Sequence, residues 1–130
     1  MLLEGKIAIV TGASRGIGRA IAETLAAEGA TVIVNYQANA AAAEAVVSAI
    51  TEKGGRALAV AADVSDTAAA EGLIKAAIDA FGHIDIVVNN AGTTRDTLLL
   101  SMKEEQWDVV LSTNLKSVFN VCKACLLYTS

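Results

Sequence analysis

No proline occurs in this chain of 130 residues, although average usage near 5% corresponds to about six. There is also no internal repeat, no low-complexity tract and no linker-like stretch, so the length reads as a single domain. Cysteine is scarce as well. Two cysteines, in a chain whose opening "MLLEGK" reaches a charge at Glu4, exclude a disulfide-stapled secreted domain and make a cytoplasmic protein the expectation. Basic charge is in the minority, 10 Lys and Arg against 14 Asp and Glu, for a net charge of -4 and a pI near 4.9. That sign excludes the basic footprint of a protein that binds nucleic acid or an anionic membrane. No apolar run approaches the roughly 18 residues of a membrane span.

What the chain does have is apolar material: 54% of residues are hydrophobic and 18% charged, a globular composition with ample core. Its periodicity alternates. "KIAIVTG" (residues 6–12) is a short apolar run ending in glycine, which predicts a buried strand. Ile17, Ala20, Ile21, Thr24 and Leu25 then repeat at helical spacing, with Gly29 as the stop. "TVIVNY" is a second strand, "NAAAAEAVVSAITEKGG" a helix closed by Gly54 and Gly55, and "RALAVAADV" a third strand. Asp66 is placed to cap a helix carrying Leu73, Ile74, Ala77, Ile78 and Phe81, with Gly82 behind it. "IDIVVNNAG" is a fourth strand, and "SMKEEQWDVVLSTNLKSVFNVCKA" reads as mostly helical.

Strand and helix therefore alternate, and the strands are near-continuously apolar, as in a parallel sheet covered on both faces. Right-handed crossovers then give an α/β fold, a Rossmann-type doubly wound parallel sheet of order 3-2-1-4, truncated after the fourth strand and its following helix. Such a fourth strand would be an edge, yet "IVVNNAG" carries neither the charge nor the proline that protects edges. A fifth strand is expected beside it.

Between the first strand and helix stands "TGASRGIG" (residues 11–18), with glycines at 12, 16 and 18. Gly12 allows a sharp turn out of the strand. Gly16 and Gly18 remove side chains where a pyrophosphate and the neighbouring strand approach. The following helix offers its unpaired amides and the positive end of its dipole to a phosphate. An ordinary glycine-rich turn fits the same three glycines. At the end of strand two, where NAD-binding folds carry a carboxylate for the ribose 2′-hydroxyl, stand Asn35 and Tyr36. Nothing there repels a 2′-phosphate, and Arg15 is placed to pair with one, which favours NADP, unless Arg15 is only a solvated arginine. Asp63 is placed to accept from an adenine amino group, or simply ends a strand. "NNAG" (residues 89–92) ends strand four where the sheet reverses direction and ligands bind, or is an ordinary turn.

With Thr-Gly-x-x-x-Gly-x-Gly, Asp63-Val64, Asn-Asn-Ala-Gly and the "TNL" around Asn114 in that order, residues 1–124 closely resemble the short-chain dehydrogenases/reductases. Within that family, "TTRDTLLLSMKEEQWDVVLSTNLKSVFNVCKA" is most similar to the bacterial 3-oxoacyl-[acyl-carrier-protein] reductases of fatty-acid synthesis, and acetoacetyl-CoA reductases are also similar. The resemblance implies NADPH/NADP as coenzyme, held by Gly12, Ser14, Arg15, Gly16, Ile17, Gly18, Asn35, Tyr36, Asp63, Val64, Asn90, Ala91 and Gly92. It implies no metal, a 3-oxoacyl substrate carried on acyl carrier protein or CoA, and a homotetramer for the full-length protein. A tyrosine would donate the proton, a lysine one helical turn on would lower that tyrosine's pKa, and a serine would orient the carbonyl. Asn114 would kink its helix and hold a water in the proton relay. By itself, a mid-helix asparagine more simply bonds its own backbone.

The match stops near the tail. Tyr128 precedes only Thr129 and Ser130, so the family's lysine falls two residues past the last residue, and its serine falls on Leu115. Tyr128 is not expected to be the catalytic tyrosine, and the chain as written is expected to be inactive. "CLLYTS" (residues 125–130) is encoded by TGT-CTC-TTA-TAC-ACA-TCT, which resembles a transposon end used to build sequencing libraries. Residues 125–130 are therefore expected to be adapter-derived, a natural truncation or frameshift being the alternative, and 1–124 the N-terminal part of a dinucleotide-binding domain, belonging to a reductase or, alternatively, to a non-catalytic dinucleotide-binding module. The Cys122–Cys125 pair then carries no redox or zinc chemistry. His83 reads as surface decoration, and Trp107 as packing. Genomic sequence beyond codon 124 is expected to continue into a serine and a Tyr-x-x-x-Lys; a genuine stop codon after Ser130 would exclude the reading as part of such a reductase.

Overall fold

The computed structural model describes residues 2–90 and 98–101. In chain order its elements are β1 (Ile7–Val10), α1 (Gly16–Ala27), β2 (Thr31–Tyr36), α2 (Ala40–Glu52), β3 (Arg56–Ala61), α3 (Thr67–Phe81), β4 (Ile86–Asn89) and β5 (Leu98–Ser101). The sheet runs β3-β2-β1-β4-β5, parallel from β3 to β4. All four residues of β1 and the first five of β2 are buried. A strand covered on both faces has no polar side to show, which is why these runs lack the alternation of a half-exposed strand.

Successive residues serve opposite faces. Ala8, Val10, Val32, Val34 and Val88 pack with α1 and α2, which contribute Ala22, Ala26, Ala43, Val46 and Ile50. The small residues let both helices lie close to the sheet. On the other face, Ile9, Ile33 and Val87 meet Ala70, Leu73, Ile74 and Ala77 of α3. Among the described residues the outer strand β3 pairs only with β2. There the exposed Arg56 sits over the Phe81 ring, 5.5 Å from its centroid, and places a charge at the edge.

Two helix starts are sealed by their own side chains. Asn39 Oδ1 accepts from the Ala42 amide at 2.9 Å, and Asp66 Oδ2 from the Ala69 amide at 2.9 Å. Gly82, at φ 89°, ends α3 and donates to the Ile78 carbonyl at 2.8 Å. At the N-terminal edge of the sheet, Asp85 ties β4 to β1: its Oδ2 accepts from the Ile7 amide at 2.8 Å and lies 2.9 Å from His83 Nε2. His83 thus stands beside Asp85, at the opposite end of the strands from the glycine turn.

The 3-2-1-4 order agrees with the sequence pattern. The pattern leaves 98–100 without an element and puts Ser101 at the start of the segment read as helical, whereas Leu98–Ser101 pairs antiparallel with β4, Val88 opposite Leu99. An apolar run running into a helix-like stretch has no period of its own. The unprotected edge of β4 had nonetheless signalled a missing neighbour. Residues 102–124, read as mostly helical, lie outside the described residues. No helix among the described residues is long and apolar enough to cross a membrane.

Ile33 lies fully inside the sheet while Leu58 is 38% exposed, so Ile33→Ala is expected to cost about 2–5 kcal/mol. Leu58→Ala should cost less, about 1–2 kcal/mol. Urea unfolding of the two variants measures the difference.

Candidate functional site at the glycine turn

β1 is flanked by β2, reached through α1 on one face, and by β4, reached through α3 on the other. The connections therefore diverge at the C-terminal ends of β1 and β4 and leave a crevice, the place where doubly wound sheets take ligands. The glycine turn lies in it. Gly12 (φ 61°) and Gly16 (φ 59°) occupy the left-handed region, which side chains rarely adopt. Gly18 is constrained by contact instead: a β-carbon there would collide with the Gly12 carbonyl oxygen and with Asn90 Nδ2. The turn closes on itself, and only hydrogen fits inside.

Two asparagines hold it from opposite sides. From the β4 side, Asn90 Nδ2 donates to the Gly12 carbonyl at 3.0 Å. The Asn90 amide donates to Thr11 Oγ1 at 2.9 Å, and that hydroxyl and the Thr11 amide both donate to the Val88 carbonyl, at 3.3 and 3.0 Å. From the β2 side, Asn35 Oδ1 accepts from the Gly12 amide at 3.2 Å, and the Asn35 carbonyl accepts from the Ala13 amide at 2.8 Å. Asn35 Nδ2 donates to the Val60 and Ala62 carbonyls, each at 3.2 Å. Thr11, Asn35 and Asn89 continue the buried stripe Ile9, Ile33, Val87 by one pleat, so a row of polar side chains borders the apolar layer. Asn89 is 3% exposed, and its Nδ2 has no partner among the described residues.

α1 begins differently from α2 and α3. Arg15 precedes it in extended conformation (φ -158°, ψ 169°), and no side chain caps the first turn. The amides of Gly16, Ile17 and Gly18 therefore lack intrahelical acceptors, and no acidic residue stands in that turn. Space above Gly16 is open, with nothing within 4 Å of a β-carbon built there. Arg15 is exposed with no carboxylate partner among the described residues, whereas Arg19 is paired with Glu23 at 2.8 Å. Ile17 exposes 56% of its surface, unusual for an isoleucine, directly at the helix start.

The other expected site residues are spread along the same edge. Ser14 is half-buried within the turn, and Tyr36 is half-buried at the end of β2. Asp63 is exposed beyond β3, its Oδ1 accepting from the Ser65 amide at 3.0 Å and from Ser65 Oγ at 2.6 Å. Val64 is buried in the α3-side core. Asn35 is 1% exposed, so the side chain expected beside a ribose is turned inward and bonded to backbone. Ala91, Gly92 and Asn114, like Trp107, Cys122, Cys125 and Tyr128, lie outside the described residues. Thr11 and Asn89 were not singled out from sequence; the signal was a polar residue closing an apolar strand. No cluster of His, Cys, Asp or Glu able to hold a metal occurs among the described residues.

Comparison with known proteins bears on this edge. Residues 6–129 match the family model described as short chain dehydrogenase. The chain is 52% identical over 122 residues to a 3-oxoacyl-[acyl-carrier-protein] reductase of Synechocystis, covering 94% of the chain and 49% of that protein. It is 54% identical over 115 residues to the 3-oxoacyl-[acyl-carrier-protein] reductase FabG of Staphylococcus aureus, covering 88% and 47%. Among solved structures, a short chain dehydrogenase from Burkholderia cenocepacia in complex with NADP superposes with a TM-score of 0.79 at 41% identity, covering 98% of this chain and 52% of that one. A short-chain dehydrogenase/reductase from Serratia marcescens gives 0.80 at 42%, with 98% and 52% covered. This chain belongs to the short-chain dehydrogenase family. It spans about half the length of the curated relatives it matches.

The crowding at Gly18 predicts that Gly18→Ala destabilises the protein by about 1–3 kcal/mol. Gly72, in mid-α3 with open space around it, predicts the opposite sign: Gly72→Ala should stabilise by about 0.5–1 kcal/mol. Chemical denaturation of both variants tests the pair.

Proposed function

We propose that this sequence forms the dinucleotide-binding part of an NADPH-dependent 3-oxoacyl-[acyl-carrier-protein] reductase. The observation that carries the reading is the uncapped start of α1, folded behind a turn too tight for a β-carbon and flanked by an exposed arginine with no carboxylate partner among the described residues. Its donor set suits a dinucleotide. Amides at residues 16–18 and the helix dipole face outward for a pyrophosphate, with Ser14 beside them. Exposed Ile17 is an apolar surface for the coenzyme to cover. Arg15 supplies a guanidinium fork for the ribose 2′-phosphate, and at the end of β2 Tyr36 stands where a carboxylate would repel that phosphate. Asp63 accepts from the adenine amino group, with Val64 anchoring its loop in the core. Asn90, with Ala91 and Gly92 after it, borders the nicotinamide half from the end of β4.

The coenzyme supplies the hydride for a 3-ketone. On this reading the chain's own residues bind and orient: the turn fixes the phosphates, and the Asn90 segment sets the depth of the nicotinamide end. Asn114 holds a water in the path of the proton, a role resting on the "TNL" pattern. The names of the Synechocystis and Staphylococcus aureus reductases support acyl carrier protein as the substrate's carrier, and the NADP complex of the Burkholderia relative supports the choice of coenzyme.

In the gene's full product, Arg15→Ala is expected to raise the Kd for NADPH about tenfold, a charge-assisted contact being worth about 1.5–3 kcal/mol, while the Kd for NADH changes far less. Equal losses for the two coenzymes in calorimetry would refute the 2′-phosphate assignment. Tyr36 has no lysine four residues on. The 130-residue chain alone is therefore expected to show no NADPH-dependent reduction of acetoacetyl-CoA, and turnover above background by a clean preparation would contradict this.

A further inference from the structure

Asn35 occupies the end of β2, where the ribose would be read, yet its side chain is spent elsewhere. Oδ1 takes the Gly12 amide at 3.2 Å, and the two protons of Nδ2 face three carbonyls, Val60 and Ala62 at 3.2 Å each and Tyr36 at 3.5 Å. With 1% of its surface exposed, nothing remains to meet a ligand. Three segments converge on this one group: the glycine turn, β2 and the end of β3. Few side chains can do this. The position needs one acceptor toward the turn and two donors toward β3 in a single planar group of this length. Aspartate has the shape but no donor, and would set a buried charge against two carbonyl oxygens. Serine is too short, and glutamine is one methylene too long for a packed site.

We propose that Asn35 is the positioning residue of the coenzyme turn: it fixes the turn's curvature for either nicotinamide dinucleotide and takes no part in telling the two apart. The proposal rests on the coenzyme reading above. Gly12, whose amide Asn35 holds, is also the residue whose carbonyl Asn90 holds and against which Gly18 packs, so a shift at Asn35 moves the start of α1. The phosphates common to NADPH and NADH are bound there. Loss of the clamp therefore weakens both coenzymes alike, whereas discrimination stays with Arg15 and the side chains beyond Asn35.

The test uses the gene's full product, unaltered and with Asn35→Asp or Asn35→Ala. Calorimetry is expected to show the Kd for NADPH and for NADH rising by the same factor, about tenfold or more, with their ratio unchanged within about twofold. A shift of that ratio toward NADH in Asn35→Asp would mean that the side chain faces the ribose, and would overturn the proposal while leaving the coenzyme reading intact. Binding of neither dinucleotide by the unaltered protein would overturn both. A second measurement needs no variant. In the unaltered protein, the side-chain amide protons of Asn35 should exchange with solvent at least about tenfold more slowly than those of the exposed Asn39. Equal exchange rates would overturn the clamp even if the variants fail to fold.

Discussion

A polypeptide that leaves a strand at Gly12 and enters a helix by Gly16 returns so close to itself that Gly18 faces its carbonyl with no room for a β-carbon. Everything at this edge of the sheet depends on that approach. It sets the direction in which α1 leaves, and so where its first amides point. It also brings Gly12 between Asn90 on one side and Asn35 on the other, which ties strands β4 and β2 through a single residue. The site is thus made from backbone, with the side chains acting on backbone atoms more than on anything outside.

The three helix starts in this fold differ on electrostatic grounds. α2 and α3 satisfy their own first turns through Asn39 and Asp66 and leave less for a ligand to do. α1 is preceded by an extended arginine and has neither a cap nor a carboxylate in its first turn. Its positive end is therefore not neutralised from within. An anion placed there gains both the free donors and the dipole, and the guanidinium of Arg15 adds a second, separable attraction for a further phosphate.

Most of the architecture could be read from sequence because the signals were redundant. "TVIVNY" coincides with β2 residue for residue, Asp66 caps α3, and Gly82 stops it in the left-handed conformation. Doubly buried strands, glycine stops and side-chain caps are local, and each leaves a mark within a few residues. The turn was legible for the same reason. What escaped were facts about direction. Asn35 and Tyr36 are neighbours, and composition cannot say which faces the core; the pleat decides it, by placing Asn35 in line with Ile33. β5 escaped because pairing depends on the partner strand, and a run of leucines has no preference of its own for strand over buried helix. Thr11 and Asn89 escaped because a polar residue ending an apolar run looks like the beginning of a loop, although both are buried.

The polar row formed by Thr11, Asn35 and Asn89 has one more effect. Sliding β1, β2 or β4 along its neighbour by a full pleat would preserve the inward and outward alternation, so hydrophobic contact alone does not forbid it. Such a slide would push an amide or hydroxyl into the layer of Ile9, Ile33 and Val87, or draw an isoleucine out among the carbonyls it cannot bond. The hydrogen-bonding row thus works as an index mark, giving a run of nearly interchangeable aliphatic residues one alignment.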